Sequence, residues 1–100
     1  MFVHVVMMRF VPDVDEAFHA RVEAYARRIR AEAQGLLQYE YAVNDAERSQ
    51  GYTHAVVSAF RTSADHDAYQ VSAVHQEMKA FMSPAIAELA VCDSVLPDRS

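Results

Sequence analysis

The chain is poor in the residues that several large classes of protein require. It has one cysteine, Cys92, so an intrachain disulfide is impossible, which is consistent with a reducing compartment. Its two glycines, Gly35 and Gly51, cannot build a glycine-rich phosphate loop. Basic residues are scarce: nine lysines and arginines against fourteen acidic residues leave a formal charge of −5, with no electrostatic footprint for nucleic acid or anionic lipid. The local run Arg27, Arg28, Arg30 is followed by Glu32 and is expected on a solvated helix face. No apolar stretch approaches the length of a membrane span. The opening residues show no basic leader before an apolar run, so a cytoplasmic protein is expected. No serine sits in a nucleophile elbow, and Cys92 has no adjacent base, so covalent catalysis has no support.

What remains is the composition of an ordered globular chain, 52% hydrophobic, at a length suited to one domain over residues 1–100. Two stretches about fifty residues apart carry one pattern: FVHVVMMRF at Phe2–Phe10 and YTHAVVSAF at Tyr52–Phe60. Strand side chains alternate faces with a period of two, so His4, Val6 and Phe10 share a face, as do His54, Val56 and Phe60. Two imidazoles on an inner sheet face are costly as filler, because an unpaired polar group loses its hydrogen bonds to water.

Between these strands, Asp13 is the expected N-cap, with Glu16 three residues on. Val14, Phe18, Val22, Tyr25 and Ile29 then recur at helical spacing towards Gly35. Leu37, Tyr39, Tyr41 and Val43 alternate with polar or small residues as a half-buried strand, and Asn44–Gly51 reads as a loop. A second helical region is expected from an N-cap at Ser63 through Tyr69 and His75 to about Met82. Ser83-Pro84 opens a further turn, and Leu89, Val91, Asp93 and Val95 alternate in a last strand.

The order is β-α-β-β-α-β. It predicts an α+β, ferredoxin-like fold: an antiparallel sheet with both helices on one face. The opposite face would then expose Val3, Val5, Met7, Thr53, Ala55, Val57 and Ala59, an apolar surface that predicts a homodimer through the sheet.

The chain resembles the stress-responsive dimeric α/β-barrel (Dabb) family over nearly its whole length. The resemblance rests on the N-terminal Met-x-x-His-x-Val run ending at Arg9-Phe10, the Gly51-Tyr52-Thr53-His54 lead-in to the third strand and Phe60 at its close. Tyr69 with His75 and Asp93 in the last strand complete it. The resemblance implies a dimeric α/β barrel. Among members of the olivetolic acid cyclase type it further implies Tyr69 and His75 as a catalytic pair, working without cofactor or metal. His4 and His54 would line the cavity, with Tyr25 within one position of a cavity-lining helix tyrosine. The family often shows His-Pro-x-His before the functional histidine, where this chain has Ser72-Ala73-Val74-His75. In an unbroken helix, six residues leave two side chains about 120° apart, so convergence of Tyr69 and His75 requires a break.

In that reading His75 is the general base and Tyr69 the donor to a developing enolate oxygen. His4 and His54 orient a polar end of the ligand. Phe10, Phe60, Val6, Val56, Phe18, Val22 and Tyr25 enclose an apolar or aromatic body. The activity implied is polyketide cyclase, aldol or isomerase chemistry on a carbonyl or aromatic compound. A non-catalytic structural stress protein and a cofactor-independent monooxygenase are the alternatives. Each residue also has a plainer reading: His4 and His54 as satisfied inner-face histidines, Tyr69 as a core-edge aromatic, His75 as a surface residue. His19 and His66, on charge-rich helix faces, are expected in solvent, and Met7, Met8, Met78 and Met82 as core filling. A zinc site on His4, His54 and His75 is set aside, since no pair shows i, i+4 spacing or a neighbouring carboxylate.

Overall fold

A computed structural model describes residues 1–99. Four strands, β1 (Phe2–Phe10), β2 (Leu36–Val43), β3 (His54–Phe60) and β4 (Ile86–Val95), form one antiparallel sheet in the order β2-β3-β1-β4. Helices α1 (Glu16–Glu32), α2 (Ser63–Gln70) and α3 (Ala73–Met82) lie on one face of it, followed by a 3₁₀ turn at Ser83–Ala85. This is the expected ferredoxin-like βαββαβ architecture. Among the described residues, no helix is long and apolar enough to cross a membrane.

The helix starts differ from expectation by one or two residues. Val14 N–H bonds the Val11 carbonyl, so Pro12 and Asp13 are spent on a turn, and Asp15 becomes the N-cap, accepting from Phe18 N–H at 2.9 Å. Thr62, rather than Ser63, caps α2 by accepting from Asp65 N–H. The second helical region is two helices, not one. Ser72 interrupts it: its hydroxyl donates to the Tyr69 carbonyl at 2.7 Å and accepts from His75 N–H at 3.3 Å, ending α2 and capping α3. A serine side chain thus supplies the break.

The core lies between sheet and helices, where Met8, Val22, Ala26, Ile29, Tyr39, Val56, Phe60, Met78 and Met82 are buried. Phe60 has no exposure, and its burial contributes about 2–3 kcal/mol before entropic costs. Met7 sits half-buried on the opposite face. A register shift between Leu36 and Gln38 turns Leu37 outward, so only Tyr39 and Tyr41 of the expected β2 face pack inward, and Val43 is exposed beyond them.

Register sets the site. His4 lies opposite Ser58 on one side and Asp93 on the other, and Ser58 Oγ donates to the His4 carbonyl at 2.9 Å. His54 lies opposite Met8, four residues further along β1. The face away from the helices carries Val3, Val5, Met7, Ala55, Val57 and Ala59, with Ala90 and Cys92 beside them on β4.

Candidate functional site

A cavity of about 230 Å³ opens between the sheet and α3. Its apolar wall comes from Val6, Met8, Val56, Met78 and Met82, and its polar groups include His4, Tyr39, Tyr69, His75 and the charged Lys79. Leu89 and Val91 of edge strand β4 line it while staying about half exposed. An apolar cavity of roughly 150 Å³ holds a benzene ring, so this one has room for a ring and a small substituent.

The Ser72 break brings Tyr69 and His75 together, with ring centroids 4.4 Å apart. Both are buried. His75 Nδ1 lies 3.0 Å from the Gln70 carbonyl. A carbonyl only accepts, so Nδ1 carries the proton, and the neutral ring keeps its lone pair on Nε2. Burial lowers the His75 pKa below the usual 6.5. The Gln70 hydrogen bond opposes this, while Lys79, His4 and His66 push the same way as burial. His75 is thereby a neutral imidazole at physiological pH, the form that accepts a proton.

Tyr69 Oη lies 2.9 Å from Tyr39 Oη, and Tyr39 can also donate to Met78 Sδ at 3.7 Å. Burial pushes both phenols up, Tyr39 to about 12 and Tyr69 further. Neither ionises near neutrality, so both serve as hydrogen-bond donors rather than bases. When Tyr39 donates to Tyr69, the Tyr69 proton is free for a ligand oxygen, and the two hydroxyls polarise each other in series. Tyr39 figures in the sequence only as a strand aromatic.

His4 is buried, with Nδ1 2.5 Å from Asp93 Oδ1 across the β1–β4 ladder. His66 is a correction to the sequence reading: it is buried, not solvated, with its ring 4.4 Å from His4, 4.5 Å from Phe2 and 5.3 Å from Phe60. Its flanking aspartates suggested solvent. The available signal was its i−3 spacing from Tyr69, which puts both on one helix face.

Of the remaining expected site residues, His54, Tyr25, Phe10 and Phe60 stand apart from this cavity. His54 is on the helix-covered face, but four residues along the strand from His4 amount to about 13 Å. There it stacks on His19 at 4.6 Å and on Tyr41 at 5.5 Å, with Phe10 at 5.3 Å. The three histidines considered for zinc therefore do not meet. His19 is half-buried rather than solvated, and its Nδ1 bonds Tyr41 Oη at 2.8 Å. Tyr25 packs on Phe81 at 5.9 Å, and Phe60 lies in the core beneath Tyr69 and His66. Val6 and Val56 do line the cavity.

Solved structures share this architecture. A dimeric ferredoxin-like protein of unknown function from Jannaschia sp. CCS1 superposes with a TM-score of 0.85 at 20% identity, covering 95% of this chain and 98% of that one. A hydroxynitrile lyase from Passiflora edulis superposes with a TM-score of 0.83 at 18% identity, covering 99% and 95%. A dimeric ferredoxin-like protein of unknown function from Thermobifida fusca gives 0.81 at 20% identity, covering 95% and 90%. At such identities the likeness is one of fold. No curated protein matches the sequence. Residues 2–96 match the Stress responsive A/B Barrel Domain (Dabb) family, and the chain belongs to it.

Proposed function

We propose that this chain is a homodimeric enzyme that moves a proton next to a carbonyl in a small aromatic or polyketide-like compound, using its own side chains. His75 is the base, taking the proton on Nε2. Tyr69, backed by Tyr39, donates to the oxygen that becomes negative. His4 holds a polar end of the ligand, and Val6 and Val56 enclose the apolar body. The reading rests on one observation: the imidazole of His75 and the phenol of Tyr69 stand with ring centroids 4.4 Å apart on the wall of a mostly apolar cavity of about 230 Å³. Aldol cyclisation and isomerisation share this first step, and cyanohydrin cleavage, the chemistry named for the Passiflora edulis relative, also needs a base beside an oxygen.

The dimer is supported by the apolar sheet face around Val57, which none of the described helices covers, and by the dimeric relatives. Sedimentation of the purified chain reads it directly. The activity is tested by assaying a panel of aryl ketones, polyketide mimics and cyanohydrins, then comparing His75→Ala and Tyr69→Phe. Loss of the base should lower kcat/KM by roughly 10²–10⁴-fold. Loss of the donor should cost roughly 10²–10³-fold. Full activity in either variant removes that residue from the mechanism. No turnover and no binding across the panel would return the chain to a non-catalytic stress protein.

A further inference from the structure

We infer that His4, His66 and Asp93 form a binding site for a divalent transition-metal ion of the zinc class, beside the cavity that His4 lines. The three residues come from β1, α2 and β4, and one ligating atom of each lies within 4.8 Å of the others. A tetrahedral zinc ion with bonds of about 2.1 Å keeps its ligand atoms roughly 3.4 Å apart. Closing the observed spacing takes movement on the scale of an ångström. Asp93, about 40% exposed on an edge strand, has room to make it.

The donor set fits the ion. Two imidazoles and one carboxylate suit zinc and its neighbours, and three protein ligands leave a fourth position for water or a ligand atom. The rings are held before any ion arrives. His66 packs between Phe2 and Phe60 and against the His4 ring, and the His4 backbone is pinned by Ser58. Packing alone gives no account of His66. Between Phe2 and Phe60 an apolar side chain would fill the space without desolvating an imidazole, and among the described residues the half-buried Gln70 amide is the ring's one hydrogen-bond partner.

Ion binding is read without substrate, so its failure and the failure of the His75 and Tyr69 assignment are separate results. The metal-free full chain is titrated with Co²⁺, followed by its visible ligand-field absorption, and then with Zn²⁺ as competitor. One Co²⁺ per chain is expected, displaced by Zn²⁺. Asp93→Asn and His66→Leu should each weaken Co²⁺ binding at least about tenfold while leaving the far-ultraviolet circular dichroism unchanged. Asp93→Asn carries the test should His66→Leu fail to fold. His19→Phe, at the other end of the sheet, should bind as the parent does. Absence of stoichiometric Co²⁺ binding overturns the inference. So does unchanged affinity in Asp93→Asn, or loss confined to His19→Phe.

Discussion

Replacing Tyr39 and Tyr69 by phenylalanine, singly and together, measures the hydroxyl pair that prepares the proposed oxyanion contact. The two oxygens are 2.9 Å apart, and both residues are almost wholly buried, at 1% and 4% exposure. A net hydrogen bond of this kind contributes about 1 kcal/mol, and orphaning one buried partner costs about 1–3 kcal/mol. In Tyr39→Phe the surviving Tyr69 hydroxyl borders a cavity able to admit water, which holds the cost near 1 kcal/mol. In Tyr69→Phe the surviving Tyr39 hydroxyl borders the same cavity and keeps Met78 Sδ at 3.7 Å, a weak acceptor, so its cost is likewise near 1 kcal/mol. The double variant has no orphan. It should be more stable than the sum of the singles predicts by about 1 kcal/mol. Urea denaturation at one fixed protein concentration, with the m-value monitored, gives the four stabilities of the cycle. Additivity within about 0.3 kcal/mol would refute a direct hydroxyl pair.

Ser72→Ala removes the side chain that ends α2 and caps α3, and should cost about 1 kcal/mol in thermal or urea unfolding. Ser72→Asp, which restores an acceptor for His75 N–H, should recover most of that loss; equal stability of Ser72→Ala and the parent would contradict the capping role. His75 gives a pH dependence with a definite sign. Its folded pKa lies below 6.5, chiefly through burial, so between 6.5 and the lower value the unfolded chain binds a proton that the native chain refuses. The groups facing it are Lys79, His4 and His66, which disfavour its charge, and the Gln70 carbonyl, which favours it. Stability should therefore fall as pH drops through that window, and fall less steeply in His75→Gln. A urea midpoint that holds or rises in the parent on acidification from about pH 7.5 to 5.5 would contradict the assignment.

Strand parity was legible: alternation in Phe2–Phe10 and Tyr52–Phe60 places His4 and His54 on the helix-covered face, and both are there. Alternation says nothing about position along the strand. Pairing His54 with Met8 instead of with His4 sends the two imidazoles to opposite ends of the sheet. The need for a helix break between Tyr69 and His75 was legible from 3.6-residue geometry, but its occurrence depended on a serine choosing backbone partners over solvent. His66 was misread because Asp65 and Asp67 beside it are polar, whereas a helix sorts its residues by angle and not by adjacency.

Local order therefore belongs to the chain itself. Strand and helix periods, cap residues and the β-α-β-β-α-β succession follow from interactions between residues a few positions apart, and they suffice for the ferredoxin-like fold. The neighbours of His4 are another matter. Asp93 reaches it across a strand ladder closed over 89 residues of sequence, and His66 reaches it from a helix laid over the sheet. Such contacts are set by register and packing angle, which come from the whole core settling at once. No short window of residues encodes them.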